Sequence, residues 1–400
     1  MKNLIRFLIL LITFGLFNLM PKVSFAQVQT GSFIFEGILR DYKVFLPQNY
    51  NGMDKLPLVF NLHGITLSAQ QQMDYSQMNT VADTAGFIVV YPNAVYASWN
   101  CGISYVTHNV NDVGFFCALI DTLASHYSID EEKIYVCGFS LGGCMSNRLA
   151  CELSNRITAI ATVSGTMAES IASTCNPGHP VPVLLIHGTS DLIWPYNGAY
   201  DWLSVEELIT HWNNLSLCTE SDTTSLPDLD TLDGCTIRKI IFNHCLDSSG
   251  ITLIQVLQGG HSWPGGDKSK LHLPWGTIGK TNGDINASEL IWNFFKNYKL
   301  TAPTVVKYYI KNPVDYLISQ NYPNPFNPTT KIKYSIPKQS KVTMRVFDVL
   351  GRELSTLVNK EQSQGNYEVE FDGKGLPSGI YIYRLQTGVF VDTKKMIYIK

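Results

Sequence analysis

The pentapeptide Gly138-Phe139-Ser140-Leu141-Gly142 constrains the fold more than any other feature of this chain. The run Ile134–Val136 ahead of it is apolar and β-like. From Leu141 onward the pattern is helical, with Gly143 and Cys144 small enough to pack closely. A strand that passes into a helix this abruptly needs a sharp turn. Two flanking glycines allow the elements to approach without Cβ clashes, and the turn leaves the serine hydroxyl clear of the backbone. Such a turn fits a sheet whose strands alternate with helices. Leu58–Leu62, Phe87–Tyr91, Lys133–Gly138, Ile157–Val163 and Val183–His187 read as buried strands, and Tyr75–Ala85, Val113–Tyr127, Leu141–Leu153 and Val205–Trp212 as the helices between them. Thr252–Leu257 is the expected last strand and Ala287–Tyr298 a closing helix with apolar residues at helical spacing. The expected class is α/β, with a doubly wound, mostly parallel sheet.

Three further blocks follow strand ends. Leu62-His63-Gly64-Ile65-Thr66 comes directly after an early strand. If Ser140 attacks a carbonyl, the developing oxyanion needs two backbone N–H donors. One is Leu141, the residue after the nucleophile. The other lies in the loop after the third strand, at Ile65 or Thr66. His63 reads as a structural residue that pins this loop. His187-Gly188-Thr189-Ser190-Asp191 ends the run Val183–Ile186, and Asp191 is the only acid in its loop. It can hold a histidine in one tautomer and stabilise its cation. His187 reads as structural. Gly259-Gly260-His261-Ser262-Trp263-Pro264-Gly265-Gly266 follows the last strand, where a base can reach the serine. The order Ser140, Asp191, His261 is that of the α/β-hydrolase fold.

Composition sets the remaining bounds. The formal charge of −3 gives no reason to expect a nucleic-acid or anionic-membrane partner. No zinc-ligand or phosphate-loop spacing occurs, so neither metal nor cofactor is implied. Asp228-Leu229-Asp230-Thr231-Leu232-Asp233-Gly234 departs from a calcium loop and reads as a solvated acidic segment. Residues 1–26 read as a signal peptide: Lys2 and Arg6, an apolar run from Phe7 to Met20, then Ser24-Phe25-Ala26 ahead of Gln27. That run is short for a bilayer span, and no later stretch is long and apolar enough for stable membrane insertion. Nine cysteines fit an oxidising compartment. Being odd in number they leave at least one unpaired, for which Cys137 is a candidate. Cys218 with Cys245 and Cys151 with Cys175 are reasonable pairs, though spacing does not determine connectivity.

The catalytic domain is placed at residues 27–300, a linker at 301–316 and a second domain at 317–400. In the last, Asn321-Tyr322-Pro323-Asn324-Pro325-Phe326-Asn327-Pro328 excludes helix. The short strands Lys331–Ile336, Lys341–Phe347 and Asn366–Phe371, with Gly351, Gly365 and Gly379 in their separators, indicate a small β-sandwich.

Taken with Tyr91-Pro92-Asn93, Asp112-Val113-Gly114-Phe115 and Pro195-Tyr196, the four blocks resemble the secreted esterases that include feruloyl esterases, acetylxylan esterases and polyhydroxybutyrate depolymerases. The resemblance covers about Gly31–Tyr298. It departs at Ile65, where depolymerase-like members often carry Cys. Leu317–Lys400 resembles the type A C-terminal sorting domain of the type IX secretion system of Bacteroidetes-related bacteria. The resemblances imply a secreted or surface-exposed serine esterase acting on feruloyl or acetyl esters of a polysaccharide, with the secretion machinery as the tail's partner. The alternatives are a polyester depolymerase, a peptidase on the same scaffold, and an inactive surface-displayed binding protein. Trp194 and Trp263, near Asp191 and His261, together with Trp99, are expected to form an aromatic substrate-binding rim. Cys175, Pro177, Gly178 and Pro180 between two strands argue against a helical lid.

Overall fold

The computed structural model describes residues 26–106, 108–271, 278–300, 316–321, 323–388 and 390–400. The signal-peptide expectation for residues 1–26 and the linker expectation for 301–316 fall, but for Ala26 and Tyr316, outside them. The described residues form two compact units, one on each side of residue 303.

Ten strands build the sheet of the first unit: β1 Gln27–Phe35, β2 Ile38–Leu46, β3 Leu56–Leu62, β4 Ile88–Pro92, β5 Ile129–Phe139, β6 Ala159–Val163, β7 Val183–Gly188, β8 Glu220–Ser225, β9 Thr236–Asn243 and β10 Ile251–Leu257. Their order is β1-β2-β4-β3-β5-β6-β7-β10-β9-β8. The six central strands run parallel, and β1, β2, β8 and β9 extend the sheet antiparallel at its two ends. Central strands are buried on both faces, as a sheet covered by helices on each side requires. In β3, Leu58, Phe60 and Leu62 enter one core while Val59 enters the other.

Helices α1 (Ala69–Ser76), α2 (Met78–Ala85), α3 (Asp112–His126), α4 (Leu141–Glu152), α5 (Val205–Ser216) and α6 (Ala287–Phe295) cover the faces. The single helix expected over Tyr75–Ala85 is two helices, broken at Gln77 with φ 55°. Tertiary contacts accept the break: the Ser76 carbonyl takes a hydrogen bond from Ser288 Oγ at 2.7 Å, and Ser76 Oγ one from Asn61 at 3.0 Å. The hairpins β1–β2 and β8–β9 were not expected. β8, Glu220–Ser225, is polar and exposed throughout, so no apolar alternation marks it. Between β6 and β7 the chain forms only the single helical turn Glu169–Ala172, and the disulfide Cys151–Cys175 ties this segment to α4. A second disulfide, Cys218–Cys245, closes the β8–β9 hairpin.

The second unit has the strands β11 Leu317–Ile318, β12 Thr329–Ile336, β13 Ser340–Asp348, β14 Glu353–Gln362, β15 Gly365–Asp372, β16 Gly379–Thr387 and β17 Phe390–Tyr398. They form the sheets β11-β12-β15 and β14-β13-β16-β17. Alternate residues of both sheets meet in one core, among them Ile332, Ile336, Val342, Met344, Tyr383 and Met396. This is a small β-sandwich.

Candidate active site

Ser140 stands between β5 and α4 at φ 55°, ψ −121°. A non-glycine residue enters such a region only when its surroundings fix it there. The Ser140 N–H donates to Val163 O at 2.8 Å, and its carbonyl accepts from Gly143 and Cys144 in the first turn of α4. Three glycines make room for the turn: a Cβ on Gly138 would stand 2.3 Å from the Gly142 carbonyl carbon. A Cβ on Gly142 would stand 2.4 Å from the Leu62 carbonyl oxygen, and one on Gly165 would stand 2.1 Å from that of Ser140. Gly165 sits just past β6, distant in sequence from the pentapeptide, and no local signal marks it.

The residues expected as base and acid, His261 and Asp191, follow the ends of the two neighbouring parallel strands β10 and β7. His261 Nδ1 lies 2.8 Å from Asp191 Oδ2. A carboxylate there only accepts, so Nδ1 carries the proton and Nε2 is left as the acceptor. The other Asp191 oxygen accepts the backbone N–H groups of Ile193 and Trp194, at 2.9 and 2.8 Å. His261 is itself held by its N–H to Ile278 O at 2.6 Å and by contact with the Phe139 ring. Ser140 and His261 line the same small recess together with Gly64, Ile65, Leu67, Phe139 and Ile193. Among the described residues no hydrogen bond joins the serine to the histidine, and such bonds often tighten only around a bound substrate.

The expected oxyanion donors separate in the structure. Thr66 N–H donates to Ala97 O at 2.8 Å and is occupied. Ile65 N–H has no acceptor among the described residues, and Leu141 N–H opens α4, where first-turn donors lack helical partners. Of the expected donors, Ile65 and Leu141 therefore remain as the candidate pair. His63 pins this loop as expected: Nδ1–H donates to Gly64 O at 2.7 Å and Nε2 accepts from Ala94 N–H at 3.0 Å. Full burial pushes its pKa down to about 4. His187, also buried, lies 3.5 Å from Asp191 Oδ2 and donates from Nε2 to Trp194 O at 2.9 Å; burial lowers its pKa.

The aromatic rim is not present as expected. Trp99, Trp194 and Trp263 are 0%, 3% and 0% exposed. Each indole N–H is used inside the protein: Trp99 with His63 O, Trp194 with Thr166 Oγ1 and Trp263 with Ser288 Oγ. These large rings pack behind the loops that carry His63, Asp191 and His261, because burying them removes more apolar surface than stacking at the edge would. The surfaces facing the recess are instead Ile65, Leu67, Phe139 and Ile193. Leu192, next to Asp191, is 92% exposed.

Residues 40–186 match the family described as Esterase PHB depolymerase, and residues 320–400 match the Secretion system C-terminal sorting domain. The bifunctional acetylxylan esterase/xylanase of Neocallimastix patriciarum is 30% identical over 169 residues, covering 42% of this chain and 24% of that protein. Feruloyl esterase B of Piromyces equi is 28% identical over 234 residues, covering 55% of this chain and 42% of that protein. The chain thus spans less than half the length of these curated relatives. An acetyl xylan esterase structure from Aspergillus awamori has a TM-score of 0.46 at 18% identity, covering 59% of this chain and 94% of that one.

Proposed function

We propose that this chain, a PHB-depolymerase-type esterase over residues 40–186 with a secretion sorting domain at its end, is an exported serine carboxylic-ester hydrolase. The observation that carries the reading is the His261–Asp191 pair at 2.8 Å, whose histidine lines one recess with Ser140 on its strained turn. His261 Nε2 takes the Ser140 proton as Oγ attacks the ester carbonyl. The N–H groups of Leu141 and Ile65 receive the oxyanion. His261 then protonates the leaving alcohol, and water, activated by the same nitrogen, releases the acid from the acyl-enzyme.

The substrate class follows from the recess and the relatives. The recess is small and lined by apolar side chains, which suits a short acyl group better than a long acyl chain. The relatives named above support feruloyl or acetyl esters of plant polysaccharide. The description of the matching family favours polyhydroxybutyrate as the second reading. Export uses a cleaved signal over residues 1–26 and the tail as the address.

The test is hydrolysis of methyl ferulate, acetylated xylan and polyhydroxybutyrate side by side. Ser140→Ala and His261→Ala should each lower turnover by about 10³-fold or more, without the losses adding. Full activity in His261→Ala would remove the assignment, and exclusive action on the polyester would select the second reading. Activity should also fall on acidification, since only the neutral imidazole is a base.

A further inference from the structure

Five of the nine cysteines are unpaired in the structure: Cys101, Cys117, Cys137, Cys144 and Cys235. Two of these five are neighbours. Cys144 lies in the first turn of α4, and its N–H donates to Ser140 O at 3.1 Å. Its Sγ is 3.7 Å from the carbonyl oxygen of Cys101. The two side chains are 0% and 1% exposed. The Cys101 thiol is held above its ordinary pKa by burial first and then by the Cys144 thiol beside it. The other three are placed differently: Cys137 Sγ lies against Met78 Sδ at 4.0 Å, Cys235 against Asp233, and Cys117 is half-buried on α3.

We infer that Cys101 and Cys144 become a third disulfide in the exported protein. The inference rests on the export reading, since an oxidising compartment is needed. One S–S bond forms and both thiols lose their protons. The two electrons reduce a disulfide of a thiol–disulfide oxidoreductase of that compartment to its dithiol, by exchange through a mixed disulfide. The folded protein seals both sulfurs from solvent, so the exchange takes place on the folding chain.

The location gives the bond its consequence. The Cys101 N–H returns to Trp99 O at 2.9 Å, and Trp99 Nε1 holds the His63 carbonyl at 2.9 Å. That carbonyl is two residues before Ile65. Cys144 sits in the turn that holds Ser140 and Leu141. A bond between the two sulfurs therefore ties the segment behind one oxyanion donor to the helix that presents the other.

The full-length chain, refolded in reduced and oxidised glutathione, is digested without reduction and mapped by mass spectrometry after alkylation. Expected are linked peptides for Cys151–Cys175, Cys218–Cys245 and Cys101–Cys144, with Cys117, Cys137 and Cys235 alkylated. The first two links present, with Cys101 and Cys144 both alkylated, would overturn the inference. The same map on protein from culture medium separates the two readings. Loss of all three links counts against export, and loss of the Cys101–Cys144 link alone counts against the inference. Cys144→Ala should lower Tm by about 5–10 °C, from the typical worth of a disulfide in a domain of this size. Cys101→Ala added to it should lower Tm little further. An unchanged Tm in Cys144→Ala would count against the bond.

Discussion

Ser140 occupies a backbone region that costs a non-glycine residue roughly 1–3 kcal/mol, and the residues around it are chosen to leave no alternative. Gly165 is the most exacting of them, because its Cα faces the Ser140 carbonyl. Gly165→Ala should push that carbonyl aside, lower Tm, and cut turnover at least tenfold, as overpacking at a rigid site does. Wild-type rates with a wild-type Tm would show that the turn tolerates displacement. His63 makes a different kind of contribution. Its pKa is about 4 in the folded protein and ordinarily 6.5. Between those values the unfolded chain binds the extra proton, so the stabilisation is complete above about pH 6.5 and is lost as pH falls toward 4. The loss can reach about 3 kcal/mol. Denaturant titrations at pH 7.5 and pH 5 should show His63→Gln with a smaller drop than wild type, and equal drops would contradict the assignment. His187 acts in the same direction.

Between elements, the contacts that matter are buried polar ones. Arg40 on β2 meets Asp112 at the start of α3 at 2.8 Å, with both side chains sealed, and its guanidinium lies 3.7 Å over Phe115. The other Asp112 oxygen accepts the N–H of Asn100, in the segment that supports the oxyanion loop. Arg40→Met leaves a buried carboxylate without its cation and should cost about 3–5 kcal/mol in a denaturation curve. A loss under 1 kcal/mol would show that the pair contributes little to holding β2 against α3. Trp263 joins the His261 loop to α1 and α6: its N–H reaches Tyr75 Oη at 2.7 Å and its indole reaches Ser288. Trp263→Ala should therefore destabilise by about 3–5 kcal/mol, with comparable changes in KM for feruloyl and acetyl esters. A selective rise in KM for the feruloyl ester would place this ring at the substrate after all.

For the whole molecule, the two units have separate cores and no shared cysteine. The first is closed at its far end by Leu300 N–H on Glu132 O at 2.7 Å. A chain ending at 300 should fold and keep hydrolysing small esters, while in its native host it should fail to leave the cell. If it folds, keeps small esters and loses only polymer, the second unit binds substrate and the address reading fails.

Most of the central sheet was legible because its strands are apolar, short and bounded by turns, as with Val183–Gly188 and Ile251–Leu257. The residues proposed as a triad stood out because a strand-to-helix turn needs glycines in fixed places, and because loops at the ends of later strands carry one acid and one histidine; the structure brings His261 and Asp191 within 2.8 Å. The exposed hairpin β8–β9 was not, since a polar edge strand has no period to read. Nor was the break at Gln77, beside which the Ser76 carbonyl is met by Ser288 from 212 residues away. The tertiary structure alone decided which loop donor stays free, through Ala97 O capturing Thr66 N–H. It alone decided that three tryptophans lie behind the site. Position in sequence places a ring near a catalytic loop, but which side of the loop it occupies depends on where the remaining apolar surface can be buried.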